Sequence, residues 1–247
     1  MQARVALITG GTGAIGRVIC QYLVDAGYKV AANCYPADAE MAAEWVAEEA
    51  KQGRKIHLEP FDVAIFEEAA AGVERVEKAL GPIEILVNAA GITRDSRLVK
   101  MSPEQWSAVV HTNLDSVFNV TRAVLPGMLS RNYGRVVNIS SVNGQRGQFG
   151  QANYSAAKAG AHGFTMAVAR ETARKGVTVN TVSPGYIESP LIMAVPEPVR
   201  EGIRESIPAG RFGQPSEIAR TVQFLVDEQA GYITGADLSV NGGYHMG

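Results

Sequence analysis

The chain has 247 residues, 46% of them apolar and 19% charged, with a net charge of −2. That is ample for one large α/β domain, and the charge balance gives no sign of a nucleic acid or membrane-surface partner. No apolar run approaches the roughly 18 residues of a membrane span, and the four histidines and two cysteines show no metal-ligand or redox spacing. A strand pattern begins within a few residues of the start, so the expectation is a soluble cytoplasmic protein without a signal peptide or a metal site.

Val5–Ile8 is a short continuous apolar run, the pattern of a strand buried on both faces. It passes into Thr9-Gly10-Gly11-Thr12-Gly13-Ala14-Ile15-Gly16, after which Ile15, Val18, Ile19, Leu23 and Ala26 mark an amphipathic helix. A glycine turn between strand and helix is an anion site, because unpaired backbone N–H groups and the positive end of the helix dipole face the ligand. Dinucleotide phosphates are expected at Gly10, Thr12, Gly13, Ile15 and Gly16.

A second strand covers Lys29–Cys34, and in dinucleotide folds its end meets the adenosine ribose. Asn33 and Tyr35 stand there. The loop from Asn33 to Glu40 has no arginine or lysine, while Asp38 and Glu40 repel a ribose 2′-phosphate. NADH is therefore expected over NADPH, with NADPH still possible. A helix (about Ala39 to Gln52) and a strand (Ile56–Pro60) lead to Asp62. This residue either accepts from an adenine amino group or caps the helix marked by Ala69, Val73, Val76 and Leu80. Ile83–Val87 is the fourth strand. It ends in Asn88-Ala-Ala-Gly91, small residues that admit a flat ring system.

Thr93–Met101 reads as an exposed loop. Ser102-Pro103-Glu104-Gln105 is a helix start, and the helix is expected to run to about Leu129, loosened near Pro126-Gly127. Asn113 falls inside it, where an asparagine either faces solvent or has a buried or functional role. The strand Arg135–Ile139 leads through a glycine-rich loop, Ser141 to Gln151, into a helix that continues to about Arg174. On that helix Tyr154 and Lys158 are four apart and share a face. Such pairs are usually surface pairs. Held together, though, the ammonium should lower the phenol's pKa of about 10 and make it an acid–base group, with the Ser141 hydroxyl placed to hold a substrate oxygen. The helix is rich in alanine and glycine, which suits close packing within or between subunits. Val177–Val182 is the sixth strand, followed by Pro184-Gly185-Tyr186-Ile187. Residues 188–211 read as a mobile flap, and a helix (Ser216–Val226) and a strand (Leu238–Asn241) complete the chain.

Strands and helices alternate throughout, which implies a single doubly wound α/β domain over 1–247, with a parallel sheet of Rossmann type. The glycine turn and the polar loops after the fourth, fifth and sixth strands converge at the sheet's carboxyl edge. The Tyr154–Lys158 pair then lies beside a dinucleotide site and becomes a catalytic expectation.

With these features the sequence resembles the short-chain dehydrogenase/reductase family over essentially its full length. The resemblance rests on Thr9-Gly10 to Gly16, Asp62, Asn88 to Gly91, Asn113, Ser141, Tyr154-Ser-Ala-Ala-Lys158 and Pro184-Gly185. Ala14 replaces the middle glycine of the turn, and Ser189 replaces a threonine that often bonds the nicotinamide carboxamide. The resemblance implies Asn113, Ser141, Tyr154 and Lys158 as the catalytic set. It also implies cofactor contacts from Asn88, Gly91, Tyr154, Lys158, Pro184, Gly185, Ile187 and Ser189. Within the family, Gly91 to Asp95, Asn138 to Gln151 and Asn241 to Gly247 are similar to acetoacetyl-CoA reductases of polyhydroxybutyrate synthesis, whose members usually prefer NADPH. That implies a homotetramer reducing acetoacetyl-CoA or a related 3-oxoacyl thioester, with Asp95, Gln148, Phe149, Gln151 and Tyr186 around the acyl group. Arg94 and Lys100 either meet CoA phosphates or are surface charges. The alternatives are a 3-oxoacyl-(acyl-carrier-protein) reductase, whose acidic carrier Arg131, Arg174 and Lys175 would meet, and a non-catalytic dinucleotide sensor.

Overall fold

The apolar run expected near the start forms β1 (Val5–Thr9), buried along its whole length in the interior of the sheet. The structure, a computed structural model, describes residues 3–247. Among them β2 (Lys29–Cys34), β3 (Ile56–Pro60), β4 (Ile83–Asn88), β5 (Gly134–Ile139), β6 (Val177–Pro184) and β7 (Asp237–Val240) join β1. All pair in parallel, in the order β3-β2-β1-β4-β5-β6-β7. This is the doubly wound sheet that the alternation implies. The order reverses between β1 and β4, so the loops leaving their carboxyl ends part there and open a crevice.

Side chains alternate across each strand, so every strand feeds two cores. Ala6 and Ile8 pack with Ile19, Leu23, Trp45, Ile218 and Val222, from α1 (Ala14–Asp25), α2 (Ala39–Lys51) and α10 (Pro215–Val226). Val5 and Leu7 pack on the other face with Val73, Val76, Val120, Val124 and Val168. Those come from α3 (Phe66–Leu80), α5 (Ser116–Arg131) and α7 (Ala152–Thr172). Cys20 is fully buried in the first core, as its place on the apolar face of α1 implies. No helix among the described residues is long and apolar enough to cross a membrane.

Two local features differ from the sequence expectation and a third removes one of two alternatives, each because a side chain competes for a backbone group. The helix beginning at Ser102 has its capping box: Gln105 N–H donates to Ser102 Oγ at 3.2 Å and Ser102 N–H to Gln105 Oε1 at 3.0 Å. It is not one α-helix, however. After α4 (Pro103–Val110) the chain makes a π-helical turn, His111–Asp115, before α5 begins. The Asn113 amide donates to the Val109 carbonyl, the acceptor its own backbone N–H would take in an α-helix. Asp62 does not cap α3, whose N-cap is Ile65; its carboxylate instead accepts from Ala64 N–H at 2.9 Å in a turn of its own. The glycine-rich stretch after β5 contains a short helix, α6 (Val142–Arg146), because Ser141 Oγ accepts from Asn143 N–H at 3.1 Å and caps it. The segment 188–211 holds α8 (Pro190–Met193) and α9 (Glu197–Glu205).

Candidate active site

The crevice at the β1–β4 reversal is a cavity of about 660 Å³. Thr9 Oγ1 accepts from the N–H groups of Ala89 and Ala90 at 3.1 and 3.2 Å, tying the two strand ends together. Gly10 has φ +58°, and a Cβ there would lie 2.8 Å from Ala90 Cα, so this approach needs glycine. Gly13 is the N-cap of α1 and offers no side chain, which leaves the N–H groups of the first turn free of a side-chain partner. Gly10, Thr12, Gly13, Asn33, Tyr35, Asp62 and Gly91 all line the cavity, together with Asp38. A long cavity with an anion-ready helix end and a bare glycine edge fits a dinucleotide.

The other expected cofactor residues have the following contacts within the chain. Gly16 packs onto the Gly10 carbonyl, and Ile15 lies against the core. Asn33 lines the cavity, but its amide donates to Phe61 O at 2.9 Å and its Oδ1 accepts from Gly10 N–H at 3.2 Å. It thus braces the glycine turn against β3. Asn88 is buried and donates to Thr121 Oγ1 and Asn138 Oδ1, at 3.1 and 2.8 Å. Gly185 N–H donates to Val240 O at 2.9 Å after Pro184 ends β6, and Ile187 is buried and bridged to Gly213. Ser189 Oγ accepts from Ile192 N–H at 3.3 Å, capping α8, and keeps its proton to donate.

Arg17 also lines the cavity, at the β2 end where a cation was not expected. Its Nε donates to Thr12 O at 2.7 Å, and its guanidinium lies over Trp45, 5.2 Å from the ring centre. The loop after β2 is indeed without a cation; this one comes from the helix across the turn. Helical side chains lean toward the N-terminus, and that direction is the signal that would have found it.

Beyond Gly91 the polar groups converge. Asn113 is fully buried; its amide donates to Ile92 O at 2.9 Å and Val109 O at 2.8 Å, and its Oδ1 has no partner. Leaving a buried acceptor unpaired costs about 1–3 kcal/mol, so the atom faces a place for a ligand or water. A Cβ on Gly91 would sit 2.5 Å from that oxygen and 3.5 Å from Lys158 Nζ. Lys158 is buried, donates to Ile139 O at 2.8 Å, and is pushed down by burial to about 8. Ser141 accepts from Asn143, which leaves its hydroxyl proton to donate.

The expectation that Lys158 lowers the Tyr154 pKa is not met here. Burial raises it, Asp95 raises it further, and Ser141 is the group that pulls it down. The reason is geometric: Lys158 Nζ stands 5.7 Å from the Tyr154 ring centre and is turned to the carbonyl of Ile139.

Of the residues expected around the substrate, Asp95 and Gln151 bond each other, Gln151 Nε2 donating to Asp95 Oδ2 at 2.8 Å, while Asn143 donates to Gln151 Oε1 at 2.9 Å. Ser96 N–H donates to Gly150 O at 2.8 Å, so the two loops are stitched together. Gln148 and Phe149 line a second hollow of about 370 Å³ with Leu98 and Val99, and Phe149 is exposed. Tyr186 lines a separate hollow with Arg211 and Glu217 and packs edge-on against Tyr244.

The pattern of the short chain dehydrogenases matches residues 4–199, and the chain belongs to that family, whose oxidoreductases use NAD(P)H. It is 55% identical over 244 residues to an acetoacetyl-CoA reductase of Allochromatium vinosum, with 99% of each chain covered. It is 48% identical to an acetoacetyl-CoA reductase of Cupriavidus necator over the full length of both. A 3-oxoacyl-(acyl-carrier-protein) reductase of Vibrio harveyi is 42% identical over 100% of this chain and 99% of its own.

Proposed function

We propose that this protein reduces acetoacetyl-CoA to (R)-3-hydroxybutyryl-CoA, with NADH preferred over NADPH, as a cytoplasmic homotetramer in polyhydroxybutyrate synthesis. The observation that supports the chemistry is the meeting of Lys158 and the unpaired oxygen of Asn113 at bare Gly91, with Tyr154 between Lys158 and Ser141. The acyl class comes from the two acetoacetyl-CoA reductases at 55% and 48% identity.

A bound reduced nicotinamide dinucleotide supplies the hydride. Tyr154, kept un-ionised by burial, gives its proton to the ketone oxygen as that oxygen gains charge. Ser141 donates its free proton to the same oxygen and fixes the ketone's orientation. Asn113 Oδ1 and the Lys158 ammonium hold a water between them that re-protonates the tyrosine. Asp95, Gln148, Phe149, Gln151 and Tyr186 surround the acyl group. Asp38 accepts from the ribose hydroxyls and repels a 2′-phosphate, a repulsion that the Arg17 charge, shared with Thr12 and Trp45, offsets only in part. Exposed Trp106, Phe118, Met166 and Phe224 give apolar faces on α4, α5, α7 and α10 for assembly.

Steady-state kinetics with acetoacetyl-CoA, run with NADH and NADPH in parallel, test the reading. Turnover should be faster with NADH and should vanish in Tyr154→Phe, which still binds dinucleotide. A second reading, reduction of carrier-bound 3-oxoacyl groups, is supported by the Vibrio harveyi relative. Faster turnover of the carrier-bound substrate than of acetoacetyl-CoA would favour it.

A further inference from the structure

Gln148 and Tyr186, which the proposed function assigns to the acyl group, stand on different loops and line different hollows, yet two other residues join them. Arg146 Nη2 donates to Gln148 Oε1 at 2.9 Å. The same guanidinium lies over the ring of Tyr244, 4.3 Å from its centre. That ring in turn meets Tyr186 edge-on, with centroids 5.4 Å apart and planes at 66°. Gln148, Arg146, Tyr244 and Tyr186 thus form one unbroken row of contacts.

Both ends of the row are anchored to the chemistry. Arg146, which holds Gln148, closes α6, whose N-cap is Ser141. Tyr186 directly follows Gly185 at the carboxyl end of β6. Tyr244 itself is held by a tight turn after β7. Asn241 Oδ1 accepts from Gly243 N–H at 3.0 Å, and Asn241 Nδ2 donates to His245 O at 2.9 Å. Gly242 and Gly243 take φ of +64° and +83°, which that turn requires. The turn is also fastened to the base of the 188–211 segment, where Ala209 N–H donates to Gly242 O at 3.0 Å.

We infer that Tyr244, with Arg146, is a positioning residue for acyl recognition: the pair fixes Tyr186 and Gln148 as one rigid wall that restricts the substrate to a short 3-oxoacyl chain. The inference rests on the proposed reductase activity and adds two residues to it. Tyr186 alone has freedom about two side-chain torsions. Edge-on packing against Tyr244 removes that freedom, and the guanidinium over the Tyr244 ring keeps the second ring from swinging away. Neither residue needs to touch the reacting atoms.

The test compares wild-type protein with Tyr244→Ala, Tyr244→Phe and Arg146→Met on acetoacetyl-CoA and 3-oxohexanoyl-CoA. In Tyr244→Ala, KM for acetoacetyl-CoA should rise about five- to tenfold, and the preference for the shorter chain should fall by about tenfold, since one aromatic contact and one cation contact are lost. Dinucleotide KM should stay within about twofold, a split that general loosening of the fold would not produce. Tyr244→Phe keeps the ring and should restore the wild-type chain preference. Arg146→Met changes an exposed side chain and should move both readouts the same way, so it serves where Tyr244→Ala does not fold. An unchanged chain preference in both disruptive variants, or a parallel rise in dinucleotide KM, overturns the wall and leaves the reductase reading intact. Wild-type protein inert toward acetoacetyl-CoA overturns both.

Discussion

Lys158 stands 5.7 Å from the centre of the Tyr154 ring but gives its hydrogen bond to the Ile139 carbonyl at 2.8 Å. The lysine is therefore positioned by the end of β5, and the acidity of the tyrosine is set by burial, Ser141 and Asp95. A phenol that keeps its proton is what a reduction requires of its acid, so the raised pKa serves the proposed direction of the reaction.

Burial of Lys158 makes a prediction for stability. Its folded pKa of about 8 lies below the ordinary 10.5, so the unfolded chain binds the proton more tightly. The resulting cost is full below about 8 and fades as pH rises to 10.5. Lys158→Met should abolish turnover yet be more stable at pH 7, by up to about 3 kcal/mol for a shift of this size. The advantage should disappear toward pH 10.5. Thermal unfolding across that range checks it, and a variant less stable than wild type at pH 7 contradicts it.

Asp95 disfavours ionised Tyr154, so Asp95→Asn should move the alkaline fall in kcat/KM to lower pH. Asparagine still accepts from Gln151, so the loop contact survives. A pH–rate profile unchanged in position would show that Asp95 does not act on the tyrosine.

Gly144 allows α6 to lie directly on α7. A Cβ there would be 2.9 Å from both the carbonyl carbon and the Cβ of Lys158. Gly144→Ala should push Ser141 away from Tyr154, lowering kcat about tenfold or more and stability by about 1–3 kcal/mol. Kinetics with denaturant unfolding separates the two effects. Unaltered kcat would show that the α6–α7 approach does not set the site.

Arg17 is the cation at the adenosine end of the cavity. Arg17→Ala should reduce kcat/KM with NADPH by about tenfold and with NADH by less than about threefold, because the charge bears on the 2′-phosphate alone. Equal losses with both cofactors would assign Arg17 to bracing the glycine turn instead.

Much of the fold was legible because parallel strands buried on both faces read as plain apolar runs. The starts of β2, β3 and β4 fall where the sequence places them. The glycine turn was legible for the same reason, as a break between two strong patterns. What escaped were features made by single side chains. The π turn needs Asn113 to take a backbone acceptor, and hydrophobic periodicity carries no trace of that. The α6 helix has only five residues and a glycine at its centre, so composition reads it as loop, and the Ser141 cap decides otherwise. Arg17 and Tyr244 reach their places from neighbouring elements, across space the sequence does not order. The Tyr154 acidity was misread because spacing reports proximity to Lys158 and says nothing of burial.

The interior place of β1 also bears on how the protein is made. Its two neighbours in the sheet are β2 and β4. The first arrives soon, but β1 ends at Thr9 and β4 begins only at Ile83. At about 5–20 residues per second of synthesis, one apolar edge of β1 waits roughly 4–15 seconds for its partner. During that interval the nascent chain offers a bare strand to any other chain nearby, which makes the first third of the molecule the stretch where chaperone capture or misassembly on the ribosome is concentrated.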